Sequence, residues 1–126
     1  MNKKSQKILI VEDEASLIKA LSEKLSKAGF VCLEAKNGKD GLEIVKKNKI
    51  SIILLDIIMP VMDGMTFLQK IKSNEKTEQI PVIILTNLND DNKIAESQAK
   101  GVTDYLIKSD WEIEDVIKKV KEKLKK

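Results

Sequence analysis

Histidine is absent from this chain, and so is arginine: all 23 basic residues are lysines. Without imidazole there is no histidine base, no histidine metal ligand and no phosphohistidine. The single cysteine, Cys32, excludes an internal disulfide and a cysteine-based zinc site, and points to a reducing compartment. Aromatic residues make up only 3% of the chain, too few for a base-stacking surface. The missing arginines also remove bidentate base contacts, and a net charge of +3 is weak for a nucleic-acid binder. Six lysines crowd residues 118–126, but they surround Val116, Ile117, Val120 and Leu124 at helical spacing. That pattern is a solvated helix face rather than a nucleic-acid or membrane patch. No apolar run approaches the ~18 residues that a bilayer span requires. The longest, over residues 52–59, is interrupted by Asp56. Near the N-terminus acids follow residues 8–11 at once, which is not a signal peptide. The reading is a cytoplasmic protein with no membrane contact and no direct nucleic-acid contact.

What is present is enough for one domain. The 126 residues are 42% hydrophobic and 34% charged, a soluble, folded composition, read as a single domain over 1–126. Ile8-Leu9-Ile10-Val11 is a continuous apolar run, the pattern of a strand buried on both faces. Leu17, Ile18, Leu21, Leu25 and Ala28 follow at helical spacing, and Gly29 stands where a C-terminal glycine belongs. Phe30-Val31-Cys32-Leu33 and Ile52-Ile53-Leu54-Leu55 predict strands two and three, with a weaker helix over 39–47 between them. A loop with Pro60 and Gly64 leads to a helix bearing Phe67, Leu68 and Ile71. Pro81 opens a fourth strand, Val82-Ile83-Ile84-Leu85, followed by a helix over 91–100. Tyr105-Leu106-Ile107 is the fifth strand, and Ser109-Asp110-Trp111-Glu112 reads as a capping box starting the last helix. Five buried strands alternating with five helices predict a doubly wound parallel α/β sheet, flavodoxin-like, in the order 2-1-3-4-5.

Such sheets carry their sites at the carboxyl ends of the strands. Glu12 and Asp13 follow strand one, Asp56 strand three, Thr86 strand four and Lys108 strand five. Each residue alone is an ordinary loop residue or cap. Together they put three carboxylates, a hydroxyl and an ammonium on one edge. Crowded carboxylates repel, and without histidine or cysteine the donors are all oxygen, a set suited to Mg²⁺ better than to Ca²⁺.

The chain resembles the receiver domains of two-component response regulators, including the stand-alone chemotaxis type, over residues 8–124. The matching pieces are Ile10-Val11-Glu12-Asp13, Leu55-Asp56-Ile57-Ile58-Met59-Pro60-Val61-Met62-Asp63-Gly64, Leu85-Thr86 and Asp104-Tyr105-Leu106-Ile107-Lys108. The resemblance implies that Asp56 is phosphorylated by a sensor histidine kinase or phosphotransfer protein. It implies that Asp13 and Asp56 bind Mg²⁺ directly, that Glu12 acts mostly through water, and that the Ile58 backbone carbonyl is a further ligand. Thr86 would donate to the phosphoryl group, Lys108 would neutralise it, and Tyr105 would follow Thr86 inward. The surface made by the 91–100 helix, strand five and the last helix would then repack for a downstream target or output domain. Two residues depart from the family pattern: Ser109 replaces the proline after the lysine, and Asn87 follows Thr86 where a smaller residue is usual. A cis Lys108–Ser109 bond would cost about 2.5–4 kcal/mol.

Competing readings meet specific obstacles. An aspartyl-phosphate phosphatase or phosphotransferase needs a second acid two residues beyond its nucleophile, and Ile58 stands there. A flavin protein of this topology would want Ser, Thr and Gly after strand one rather than acids. A phosphorylation-independent pseudo-receiver is opposed by the complete set Glu12, Asp13, Asp56, Thr86 and Lys108. The resemblance places Ile58 and Leu88 at the rim where a hydrolytic water would enter, and neither side chain can orient water. Slow loss of phosphate is therefore expected. Decay of phospho-Asp56 after donor removal should be several-fold faster in Ile58→Asn with Leu88→Glu than in wild type; equal decay would place control of the lifetime elsewhere.

Overall fold

The apolar runs of this sequence become the middle of a parallel sheet. Strands β1 (Lys7–Val11), β2 (Val31–Ala35), β3 (Ile52–Asp56), β4 (Val82–Thr86) and β5 (Asp104–Ile107) pair in the order β2-β1-β3-β4-β5. Every neighbouring pair is parallel. Four helices are described: α1 (Ala15–Lys27), α2 (Gly38–Lys47), α3 (Gly64–Lys72) and α4 (Ile113–Leu124). This computed structural model describes residues 6–56, 64–86, 104–107 and 112–124. The predicted helix over 91–100, the Pro60 part of the predicted loop and the Lys108–Ser109 bond lie outside those residues, while Gly64, expected in that loop, is the first residue of α3.

Strand alternation divides the core into two layers, which explains why the strands are apolar on both faces. Leu9, Val11, Ile53, Leu55, Val82 and Ile84 pack with Phe67, Leu68 and Ile71 of α3 and Val45 of α2. Ile8, Ile10, Ile52, Leu54, Ile83 and Leu85 pack with Leu21 and Leu25 of α1 and Val116 and Val120 of α4. Each such side chain contributes roughly 1.5–3 kcal/mol by leaving water. Asp56 ends β3 with the parity of Ile52 and Leu54, so the strand that fills the core also aims the acid.

Two expectations need correction. The second strand begins at Val31, not Phe30, and runs to Ala35. The amide of Phe30 is used elsewhere: it donates to the Leu25 carbonyl, and Gly29 N–H donates to Ser26, the two bonds that close α1. Gly29 has φ 100°, the left-handed conformation that this closure needs. Nor is β2 a buried strand, because it lies at the sheet edge and leaves Val31 39% exposed. The last helix starts at Ile113, three residues later than the proposed box implies. Asp115 Oδ2 accepts the Glu112 amide at 2.7 Å, so the reaching-back acid is Asp115 and Glu112 is the residue capped.

Helix α2 is pressed tightly onto the sheet at Gly41. A Cβ there would lie 2.9 Å from Cε1 of Phe67 and 3.2 Å from Cγ2 of Val11. Both neighbours are fully buried in a close-packed core. Gly41→Ala gains about 1 kcal/mol in helix propensity but overpacks the core by about 1–3 kcal/mol. A net loss of stability is therefore expected in urea unfolding, and a stabilised variant would show that α2 can shift outward.

Candidate functional site

The site is built by the pairing of β1 with β3. Val11 is in register with Leu55, so Glu12 and Asp56, the next residues along each chain, emerge side by side at the carboxyl edge. Neither is at the surface: Glu12 is 1% exposed and Asp56 7%, whereas Asp13 is exposed. One carboxylate oxygen from each of the three lies within 4.8 Å of the others. At that separation two carboxylates repel by about 3 kcal/mol for an effective dielectric near 20, and by less at exposed Asp13.

Two backbone groups hold Glu12 in place. The Glu12 amide donates to the Ala35 carbonyl at 3.0 Å, tying it to the end of β2. Glu12 Oε2 accepts the Glu14 amide at 3.1 Å just before α1 begins. The N-terminus of α1 therefore lies beside the cluster, where its dipole offsets part of the repulsion. Neither Ala35 nor Glu14 stood out in the sequence; an acid immediately before the helix was the available signal for the second.

The remaining predicted residues are placed by strand position. Asp56 is in register with Leu85, so Thr86, the last residue of β4, stands one position further along the same edge. Ile107 pairs with Thr86, and Tyr105 pairs with Ile84 within β5. Ile58 and Lys108 lie outside the described residues. Cys32 offers no competing nucleophile. Burial pushes its thiol up from the ordinary value, against the lowering effect of hydrogen bonds with Ser26 and Ser22.

Oxygen-only donors, two buried and one exposed, fit a hard divalent cation that keeps part of its water shell. Asp13→Asn should weaken stabilisation by Mg²⁺ while raising metal-free stability by up to about 1 kcal/mol, since it removes one repelling charge. Thermal melts with and without Mg²⁺ measure both; a metal-free loss would make Asp13 a structural partner.

Comparison with known proteins agrees with this fold. The response regulator receiver domain family model matches residues 8–121. Protein PilH of Pseudomonas aeruginosa is 33% identical over 102 residues, covering 81% of this chain and 84% of PilH. Transcriptional regulatory protein AfsQ1 of Streptomyces coelicolor is 32% identical over 101 residues, covering 80% of this chain. The chain spans only 44% of AfsQ1, less than half of that regulator's length. Among solved structures, chemotaxis protein CheY4 of Vibrio cholerae superposes with TM-score 0.85 at 28% identity, covering 93% of this chain and 97% of that one. A two-component response regulator from Clostridium difficile gives 0.86 at 30% identity, covering 96% and 97%.

Proposed function

The chain belongs to the response regulator receiver domains, and from that premise we propose that Asp56 accepts a phosphoryl group in a Mg²⁺-dependent reaction. The observation that carries this reading is the cluster of Glu12, Asp13 and Asp56, whose oxygens converge within 4.8 Å at the carboxyl edge. Receiver domains are phosphorelay signal transducers rather than classical enzymes, working with histidine kinases or phosphotransfer proteins. The donor supplies a phosphohistidine, which this chain, having no histidine, cannot form itself.

An oxygen of the Asp56 carboxylate forms a bond to phosphorus as the bond to the donor imidazole nitrogen breaks, its electron pair leaving with the imidazole. Asp56 stands at the end of β3, so its carboxylate meets the donor at the carboxyl edge of the sheet. Glu12, Asp13 and Asp56, with the Ile58 carbonyl, would hold Mg²⁺, whose charge allows an anionic phosphoryl group to approach three carboxylates. Lys108 neutralises charge on the transferred group, and the Thr86 hydroxyl donates to a phosphoryl oxygen. Thr86 and Tyr105 then shift together, altering the surface of β5 and α4 and of the helix expected over 91–100. A downstream protein or output domain reads that surface, and residues 1–126 act as one receiver domain. None of the described helices is long and apolar enough to cross a membrane; a cytoplasmic location is part of the proposal. The pseudo-receiver alternative is not favoured, because it leaves the three-acid cluster without a purpose.

Incubation with acetyl phosphate and Mg²⁺ should add the mass of one phosphoryl group to the intact protein. Chelator should abolish the addition, and so should Asp56→Asn. Uptake by Asp56→Asn to the wild-type extent would remove Asp56 from the role.

A further inference from the structure

At the end of the sheet away from Asp56, the turns entering β3 and β4 leave a pit of about 440 Å³ beside α2 and α3. That volume lies within the range of small-molecule sites. Its floor is apolar, formed by Leu42, Val45, Ile50, Ile71 and Ile80. Val45, Ile50 and Ile71 belong to the buried core, so the floor is preformed. The uncharged polar side chains of the wall already have partners, mostly nearby backbone. Asn48 Nδ2 donates to the Ile44 carbonyl at 3.0 Å, and its Oδ1 accepts from Lys7 at 3.4 Å. Thr77 Oγ1 donates to the Ile71 carbonyl at 2.6 Å, and Asn74 Oδ1 accepts the Lys76 amide at 2.9 Å.

The rim is cationic. Lys46, Lys49, Lys70 and Lys76 surround the opening, all exposed, and among the described residues no carboxylate lines it. Glu43 approaches Lys46 only to 4.0 Å, in an exposed pair that contributes little. Lys46 and Lys70 stand in the last turns of α2 and α3, where a cation complements the helix dipole. Lys49 and Lys76 belong to neither helix, so the dipole does not account for them. Residues 43–49 and 69–78 together hold six lysines and three glutamates, an excess of +3 that equals the net charge of the whole chain.

We propose that this pit binds a small amphiphilic anion, with its apolar body on the Ile50 and Ile71 floor and its carboxylate or phosphate among the lysines. The site is separate from the phosphoacceptor edge, so it stands or falls independently of that role for Asp56. The test is titration of the full chain, followed through the amide resonances of Val45, Ile50, Ile71 and Thr77. Octanoate should shift these resonances saturably, and octyltrimethylammonium, with the same tail and opposite charge, should not. Lys46→Glu with Lys70→Glu should weaken octanoate binding about tenfold, whereas arginine at both positions should keep it within about twofold. Asp56→Asn should leave it unchanged. Equal binding of the ammonium compound, or an unaffected charge-reversal variant, would overturn the proposal by reducing the pit to a greasy surface. Equal shifts from inorganic phosphate alone would overturn it by showing that the floor takes no part. Pelleting with phosphatidylglycerol vesicles without saturable octanoate binding would overturn it in favour of a membrane lipid.

Discussion

Mutual repulsion among Glu12, Asp13 and Asp56 is the constraint around which the carboxyl edge is organised. Two of these acids are nearly removed from water, where burying charge is costly without partners. They stay there because the strands beneath them cannot move. β1 and β3 are neighbours at the centre of the sheet, filled by Ile and Leu on both faces, and shifting either acid would open the core. The hydrophobic layers thus supply the rigidity with which like charges are held together. The hydrogen bonds from Glu14 and to Ala35 then orient Glu12 within that frame.

A divalent cation at this edge would relieve the strain that the core imposes, and a phosphoryl group would restore negative charge to the same place. The acids therefore serve as more than ligands. Their crowding makes the edge sensitive to the charge that arrives, and Asp56 is attached directly to the strand that spans both core layers. Local charge and distant packing meet in one five-residue strand.

Much of this was legible in the sequence, for reasons that can be stated residue by residue. Strands β1, β3 and β4 announce themselves because burial on both faces demands unbroken apolar runs, and the acids and threonine after them mark the edge. Gly29 was legible because a left-handed helix end strongly favours glycine. The start of β2 was not, because Phe30 is apolar and buried yet gives its amide to the end of α1. Hydrophobicity reports burial and does not report hydrogen bonding. The cap of α4 was misread for a related reason: Ser109 and Glu112 have the right spacing, but Asp115 repeats that spacing from Glu112. The lysine-rimmed pit could not be seen at all, since its walls come from the ends of two helices and two turns that only the folded sheet brings together.

The acid and lysine clusters also place local charge of opposite sign at opposite ends of the sheet. Glu12, Asp13 and Asp56 stand at one end of the strands, and Lys46, Lys49, Lys70 and Lys76 at the other. Charges so separated exert a torque on the molecule in the field of a charged partner. Within the ~8 Å over which physiological salt leaves such fields effective, approaching macromolecules meet it already turned. Orientation during encounter, and not only affinity after contact, is therefore written into the placement of these side chains along the sheet.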